Sequence, residues 1–259
     1  MIAHLSELLR YRELVRNLVA RDLKVRYRNS VLGFLWCLLN PLMMMGVFTL
    51  VFTVLMRSSI PNFPVFVLVG ILAWNFHTTA VMGAIGSIVR NSELVMKVYF
   101  PREVLPLSSV LSNGVNFVLA LVALFGVILA FRVHLGPSLL FLPVVLGVQV
   151  VFVAGIALFL SALTVFYRDV EIIMEALMTA WFFLTPIFYR MEDLFPAYAR
   201  VMYIANPMAS IVSAYRDILY LGGWPGVDFV GRTLVTSLIV LAVGYVFFLH
   251  CSKRFAEEL

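Results

Sequence analysis

Residues 138–166 read SLLFLPVVLGVQVVFVAGIALFLSALTVF and carry no charged side chain. That exceeds the roughly 20 apolar residues a helix needs to cross a hydrocarbon core of about 30 Å. Arg132 and Arg168 flank the run and bound one membrane span, Ser138–Phe166. Working outward, the same charge-free test places five more. The first lies at Gly33–Met56, between Arg28 and Arg57, and the second at Pro64–Ile88. The third is Pro106–Phe131, the fifth Val170–Tyr189 with Glu171 and Glu175 in its first turns, and the sixth Thr233–Cys251. The expected fold is therefore an all-α integral membrane protein of six transmembrane helices.

Composition supports this. Apolar residues make up 63% of the 259 positions, charged residues 13%, and mean hydropathy is +1.01. Soluble domains run about 45–50% apolar and about 25% charged. Six spans and their loops leave no room for a further globular domain, so the expectation is one domain over 1–259. Within it, 1–30 forms a cytoplasmic interface helix, 33–251 the membrane region and 252–259 a short tail. The charge of +5 does not point to nucleic acid, because cytoplasmic loops of membrane proteins are basic in any case. Cys37 and Cys251 form no zinc or disulfide pattern. The charged first thirty residues lack the apolar core of a signal peptide.

One apolar stretch does not fit a span. Val201–Tyr215 is interrupted by Asn206-Pro207, and fifteen helical residues rise only about 22 Å. Leu194–Leu221 is read instead as a re-entrant or interfacial helical pair, an external re-entrant hairpin between the fifth and sixth spans being the expectation, since irregular backbone at membrane depth must be buried in protein or face a wet cavity.

With six spans both termini share a side. Thirteen Lys and Arg residues fall on that side against six on the other, which puts both termini in the cytoplasm of a multi-pass protein. Before the first span, Leu8, Tyr11, Val15, Leu18 and Val19 form one stripe, with Arg10, Glu13, Asn17, Arg21, Lys24 and Arg28 opposite. This is an amphipathic helix at the membrane interface. Asp22 and Arg26 fall on its apolar line four residues apart and are expected to pair.

Enzyme signatures are missing. His4, His77, His134 and His250 are scattered without ligand spacing. There is no Gly-x-Ser-x-Gly elbow and no P-loop. The span centres carry no acidic residue of the kind ion-coupled carriers use. A pore, a scaffold or a permease driven by another protein remains.

The sequence RDLKVRYRNSVLGFLWCLLNP at 21–41 closely resembles the start of the first span in ABC-2 type permeases that export lipid-linked polysaccharides, such as O-antigen, teichoic acid and capsule exporters. NSELVMKVYFPREVLPL in the 2–3 loop resembles that family's cytoplasmic gate and coupling segment. YRDVEII in the 4–5 loop, TPIFY at Thr185–Tyr189 and NPM at Asn206–Met208 continue the likeness in order. The resemblance implies a homodimer with two ABC ATPase subunits bound at the cytoplasmic face of the inner membrane. It implies no cofactor in this chain, with ATP and Mg held by the partner subunit, and no enzymatic activity of its own.

It also suggests roles. Arg21, Asp22, Asn91, Ser92, Glu93, Arg168, Asp169 and Glu171 are expected to couple to the ATPase, with Asn91 or Ser92 capping a short helix. Lys24, Arg26, Arg28, Lys97 and Arg102 are expected to meet a diphosphate headgroup or form a gate; the positive-inside bias alone is the other explanation. Trp36, Phe66, Trp74, Phe76, Tyr99, Trp181, Phe182, Tyr189 and Tyr215 are candidates for a sugar path, since aromatic faces pack on the C–H faces of sugar rings. Interfacial belts and helix packing use the same residues. An ABC-2 permease for a drug or simple lipid, and a membrane-embedded glycan-modifying enzyme, stay open as alternatives.

Overall fold

The computed structural model describes residues 11–27, 33–194 and 196–259. Among them every regular element is helical. In chain order these are α1 (Arg12–Tyr27), α2 (Trp36–Thr49, continued by a π-turn at Leu50–Leu55), α3 (Phe63–Ile85), α4 (Ser92–Lys97) and α5 (Val104–Ala130). Next come α6 (Leu142–Phe166, led in by a 3₁₀ turn at Pro137–Phe141), α7 (Val170–Leu184) and α8 (Met191–Leu194). The chain ends with α9 (Ala199–Ala205), α10 (Pro207–Leu219), α11 (Val227–Ser252) and α12 (Phe255–Glu258).

Among the described residues, five segments are long and apolar enough to cross a membrane: Trp36–Leu55, Phe63–Ile85, Val104–Ala130, Pro137–Phe166 and Val227–Ser252. The expected fifth span, Val170–Tyr189, is shorter than the sequence suggested. Its helix stops at Leu184 after 15 residues, a rise of about 22 Å. Pro186 is the reason. It disfavours helical backbone in the residue before it, and Thr185 is extended, with φ −96° and ψ 132°. The last span is longer than expected and starts six residues before Thr233. Its added turns carry Arg232, which lies 5.0 Å over the Phe229 ring and donates to Ser210 Oγ at 3.4 Å.

α3 is the hub. It is apolar all round, which suits a helix enclosed by others, and 78% of its span is buried against 6% for α2. It packs against α2, α5, α6, α7 and α10. Asn62 at φ 45° and Pro64 in the first turn start it sharply. α6 and α11 form the most extensive pair, brought together by Gly155 and Gly244.

A second apolar cluster closes the end of the bundle that carries α1. It joins Leu18 of α1 to Ile88, Val95, Phe100, Val104, Leu158, Phe248 and Phe255. The expected stripe on α1 is real: Leu18 is buried, Tyr11 and Val15 pack beside it, and Glu13, Asn17, Arg21 and Lys24 are exposed. Arg10, Arg28 and Leu8 lie outside the described residues. The expected Asp22–Arg26 pair does not form. Asp22 Oδ1 instead accepts from Nε and Nη2 of Arg21, at 3.3 and 3.1 Å. The neighbouring guanidinium reaches this carboxylate and a carboxamide on another segment together, which leaves Arg26 turned to a cavity.

At the opposite end the chain break after α7 is clamped from α10. Asn206 caps α10, its Oδ1 accepting from Ala209 N at 3.3 Å and from Trp181 Nε1 at 2.9 Å. Its Nδ2 donates to Leu184 O at 3.2 Å and Thr185 Oγ1 at 3.1 Å. One carboxamide thus joins the end of α7 to the start of α10. Asn206→Ala removes the cap and leaves the Leu184 carbonyl unpaired, a loss of about 3 kcal/mol. We expect its thermal unfolding midpoint in mild detergent to fall well below wild type. Asn206→Asp, which keeps the acceptor and loses the donors, should fall between.

Candidate functional site

Three charged segments converge at the α1 end: α1, the turn between α3 and α4, and the start of α7. Arg21 Nη1 donates to Asn91 Oδ1 at 3.2 Å. Asn91 Nδ2 donates to Ser87 O at 2.7 Å. Asn91 precedes α4 as expected of a cap, yet its side chain makes no capping bond, because both ends of the carboxamide are committed to Arg21 and Ser87. Arg90 donates to Gly83 O at 2.8 Å and pairs with Glu171 Oε1 at 3.4 Å.

Of the expected coupling residues, Arg21, Asp22, Asn91 and Glu171 are therefore brought together. The linking residue, Arg90, is not among those the sequence motifs single out. Its place at the end of a span, one residue before Asn91, was the available signal. Ser92 and Glu93 lie on α4, where Glu93 pairs with Lys97 at 3.2 Å on the exposed surface, a contact of little energetic weight. Arg168 and Asp169 stand exposed at the turn before α7, apart from this network.

The expected gate cations separate into two places. Lys24 and Arg26 are exposed on α1; Arg28 lies outside the described residues. Lys97 and Arg102 line an open cavity of about 770 Å³ beside Tyr99, Glu103 and Lys253. Arg102 also donates to the Ser252 carbonyl at the end of α11 and lies 5.8 Å over the Phe255 ring. A cation is favoured at a helix C-terminus, so Arg102 fastens α11 to the α4–α5 turn.

The nine aromatics also divide. Phe66, Trp74, Phe76 and Tyr215 are buried within the bundle. Tyr215 donates to Gln149 Oε1 at 2.9 Å, and Gln149 to Ala73 O at 2.7 Å, which ties α10 and α6 to α3. Trp74 packs edge-on to Trp181 at 6.2 Å and to Phe182 at 5.8 Å. Trp36 and Tyr99 are exposed; Trp181, Phe182 and Tyr189 are half-buried.

Two features escaped the sequence reading. One is a run of polar side chains, Asn40, Asn75, Asn113 and Asn116, around a cavity between α2, α3 and α5. The other is Arg216, in the last turn of α10. It is 7% exposed, donating to Pro186 O at 2.5 Å, Ile187 O at 2.6 Å and Phe66 O at 3.4 Å, with its guanidinium 3.5 Å from the Phe66 ring centroid.

Comparison with known proteins gives this arrangement a family. The ABC-2 type transporter membrane model matches residues 13–220. The chain is 38% identical over its whole length to an O-antigen export system permease protein, RfbA, of Myxococcus xanthus, whose whole length is also covered. It is 32% identical to an RfbA of Klebsiella pneumoniae, with 92% of each chain aligned. It is 22% identical to a polysialic acid transport protein, KpsM, of Escherichia coli, over 88% of this chain and 91% of that one. This all-helical membrane chain, with charged segments gathered at one end and matched by the family model from α1 to the end of α10, belongs to the ABC-2 type transporter family.

Proposed function

We propose that this chain is the membrane subunit of an ATP-driven exporter that moves a lipid-linked polysaccharide from the cytoplasmic to the outer face of the inner membrane. Full-length similarity to O-antigen export permeases carries this reading. The chain works as a homodimer with two ABC ATPase subunits, which hold ATP and Mg. The α1 end faces the cytoplasm and both termini lie there. α7 supplies the sixth crossing, its short helix extended by the Thr185–Tyr189 segment, and α9–α10 form a re-entrant pair open to the outer face.

The network of Arg21, Asn91, Arg90 and Glu171 supports ATPase coupling at that end. It links α1, the α3–α4 turn and α7, so a push on the turn moves all three. The aromatics left for the polymer are Trp36, Tyr99, Trp181, Phe182 and Tyr189, which keep exposed surface in the single chain.

The test is co-purification. Expressed with its ATPase and tagged on this chain alone, it should yield a two-to-two complex whose ATP turnover changes when lipid-linked glycan is added. Glu171→Arg sets two cations together and should abolish that response while the complex still assembles. Arg90→Glu combined with Glu171→Arg should restore it. An ATPase that fails to co-purify, with glycan export in cells unchanged by Glu171→Arg, would sink the reading.

A further inference from the structure

The open cavity of about 770 Å³ lies where two spans end: Glu103, which precedes α5, and Ser252, which ends α11, both line it. Its volume falls in the range of about 300–1,000 Å³ that receives small organic ligands. Its walls come from α4, the α4–α5 turn and the end of α11, and none of its lining from α1.

One wall residue is out of place. Glu103 is only 4% exposed, yet its carboxylate makes no hydrogen bond or ion pair among the described residues. It stands where a cap would, and accepts no bond from the helix it precedes. Nor is it sealed away. The unpartnered polar atoms without accessible surface include both nitrogens of His77 but neither oxygen of Glu103. The carboxylate therefore opens to the cavity that Glu103 lines. An enclosed carboxylate without a cation is strongly unfavourable, and an ionisable side chain withheld from water in a membrane protein points to a site.

The cations around it are turned elsewhere. Arg102 donates to the Ser252 carbonyl and lies over the Phe255 ring. Lys97 pairs with Glu93 on the surface. Lys253 is exposed and has no ion pair among the described residues. Burial thus separates the two signs, with lysines on the rim and a carboxylate enclosed.

That division describes the occupant. It needs an anionic group for the rim and, a short distance away, a small cation that donates hydrogen bonds. Phosphoethanolamine carries both. Phosphocholine has methyl groups where the N–H donors would be. A glycerol head offers only neutral hydroxyls, and hydrogen bonds between charged groups are about twice as strong. A diphosphate would add negative charge beside Glu103 and bring no cation. The acyl chains have a path as well. Ile239, Val243 and Val246 are exposed on α11 and lead at helical spacing to Lys253. Leu249, beside that face, lines the cavity.

We infer that this cavity binds a phospholipid with a primary ammonium head, of the phosphatidylethanolamine type, its ammonium on Glu103, its phosphate at Lys253 and Arg102, and its chains along α11. The lipid is a resident of the transporter and not its cargo, so the inference does not depend on the exporter reading. Bound there, it bridges the α4–α5 turn to the last span beside the bond from Arg102 to Ser252.

The experiment uses the complete transporter with its ATPase, stripped of lipid and placed in phosphatidylcholine nanodiscs. Phosphatidylethanolamine or phosphatidylglycerol is added, each with the same photoreactive acyl chain, and labelled peptides are mapped by mass spectrometry. In wild type the ethanolamine lipid should label the Val243–Lys253 stretch about fivefold more than the glycerol lipid. Glu103→Gln keeps the shape, removes the charge and should make the two lipids label equally. Lys253→Gln should lower labelling by both about fivefold, the loss of one surface cation. Lys253 is exposed, so its variant reports even where Glu103→Gln misfolds. Added ethanolamine lipid should also raise the thermal unfolding midpoint of wild type and not that of Glu103→Gln. Equal labelling by the two lipids in wild type, or a preference that survives Glu103→Gln, overturns the site and leaves the exporter reading standing. Displacement of the ethanolamine lipid by an equimolar polyprenyl diphosphate bearing one N-acetylglucosamine would make this a cargo site, which overturns the inference as well.

Discussion

Replacing Arg216 by leucine should leave little folded protein. The guanidinium occupies a site where three backbone carbonyls converge, those of Pro186, Ile187 and Phe66. A hydrophobic substitution at a buried charge is often harmless when its partners can be replaced too. Here the partners are backbone and stay whatever the side chain. Each orphaned buried carbonyl costs about 1–3 kcal/mol, and the contact with Phe66 is lost as well. The sum, about 5 kcal/mol or more, is comparable with the whole stability of an ordinary domain, about 5–15 kcal/mol. The Pro186 and Ile187 carbonyls need a donor because Pro186 ends α7 and frees them from helical bonding, whereas Phe66 lies in the first turn of α3. Arg216 is thus the complement of that proline, from an element thirty residues away. Arg216→Lys should fall between, since an ammonium reaches one or two of the carbonyls but lacks the planar fork. The measurement is the yield of monodisperse protein in mild detergent and its thermal unfolding midpoint. A midpoint for Arg216→Leu within about 2 °C of wild type would refute the clamp.

The spans were legible because charge-free length is a property of sequence alone. Phe63–Ile85 and Pro137–Phe166 lie within three residues of expectation at each end. α7 was misjudged because an apolar run continues through Thr185-Pro186 while the helix does not; composition carries no record of a backbone break, and the proline had to be weighed as one. The stripe on α1 was readable from its period. Its charge pairing was not, because Arg21 reaches Asn91, seventy residues on. The polar cavity escaped for a related reason. Asn40, Asn75 and Asn113 sit singly on three helices, and each alone looks like an ordinary polar residue in a span. Only helix packing brings them to one cavity. Nor does sequence separate a ring buried against α3, such as Phe66 or Tyr215, from one left on the surface, such as Trp36 or Tyr99.

The attachment of α11 makes the second large prediction. Only 17% of its span is buried, against 39% for the span that contains α6, so α11 is an outer helix held on one side. Its main seam is with α6. There a Cβ at Gly155 would lie 2.6 Å from Leu241 N, 2.7 Å from Leu241 Cα and 2.7 Å from Val240 C. These are backbone atoms, and no rotamer change moves them aside. Even alanine forces the two helices apart, and the parting loosens the ring contact of Phe159 with Phe247, whose centroids are 4.6 Å apart. Between transmembrane helices, close packing of this kind is a principal source of association, since lipid is as apolar as the side chains. Gly155→Ala should therefore cost about 3 kcal/mol, at the upper end for overpacking, and Gly155→Leu should detach α11. Gly147, two turns earlier on α6, has nothing within 4 Å of its Cβ position. Gly147→Ala should be neutral or stabilising by up to about 1 kcal/mol, through helix propensity. Limited proteolysis of the α10–α11 loop in detergent, with thermal unfolding beside it, separates the two glycines. Equal behaviour of Gly155→Ala and Gly147→Ala would show that the seam at Gly155 does not hold α11 in place. Faster cleavage in Gly155→Ala alone would mean that one missing methyl group fixes the last span to the bundle, and with it the Ser252 carbonyl that Arg102 holds at the α4–α5 turn.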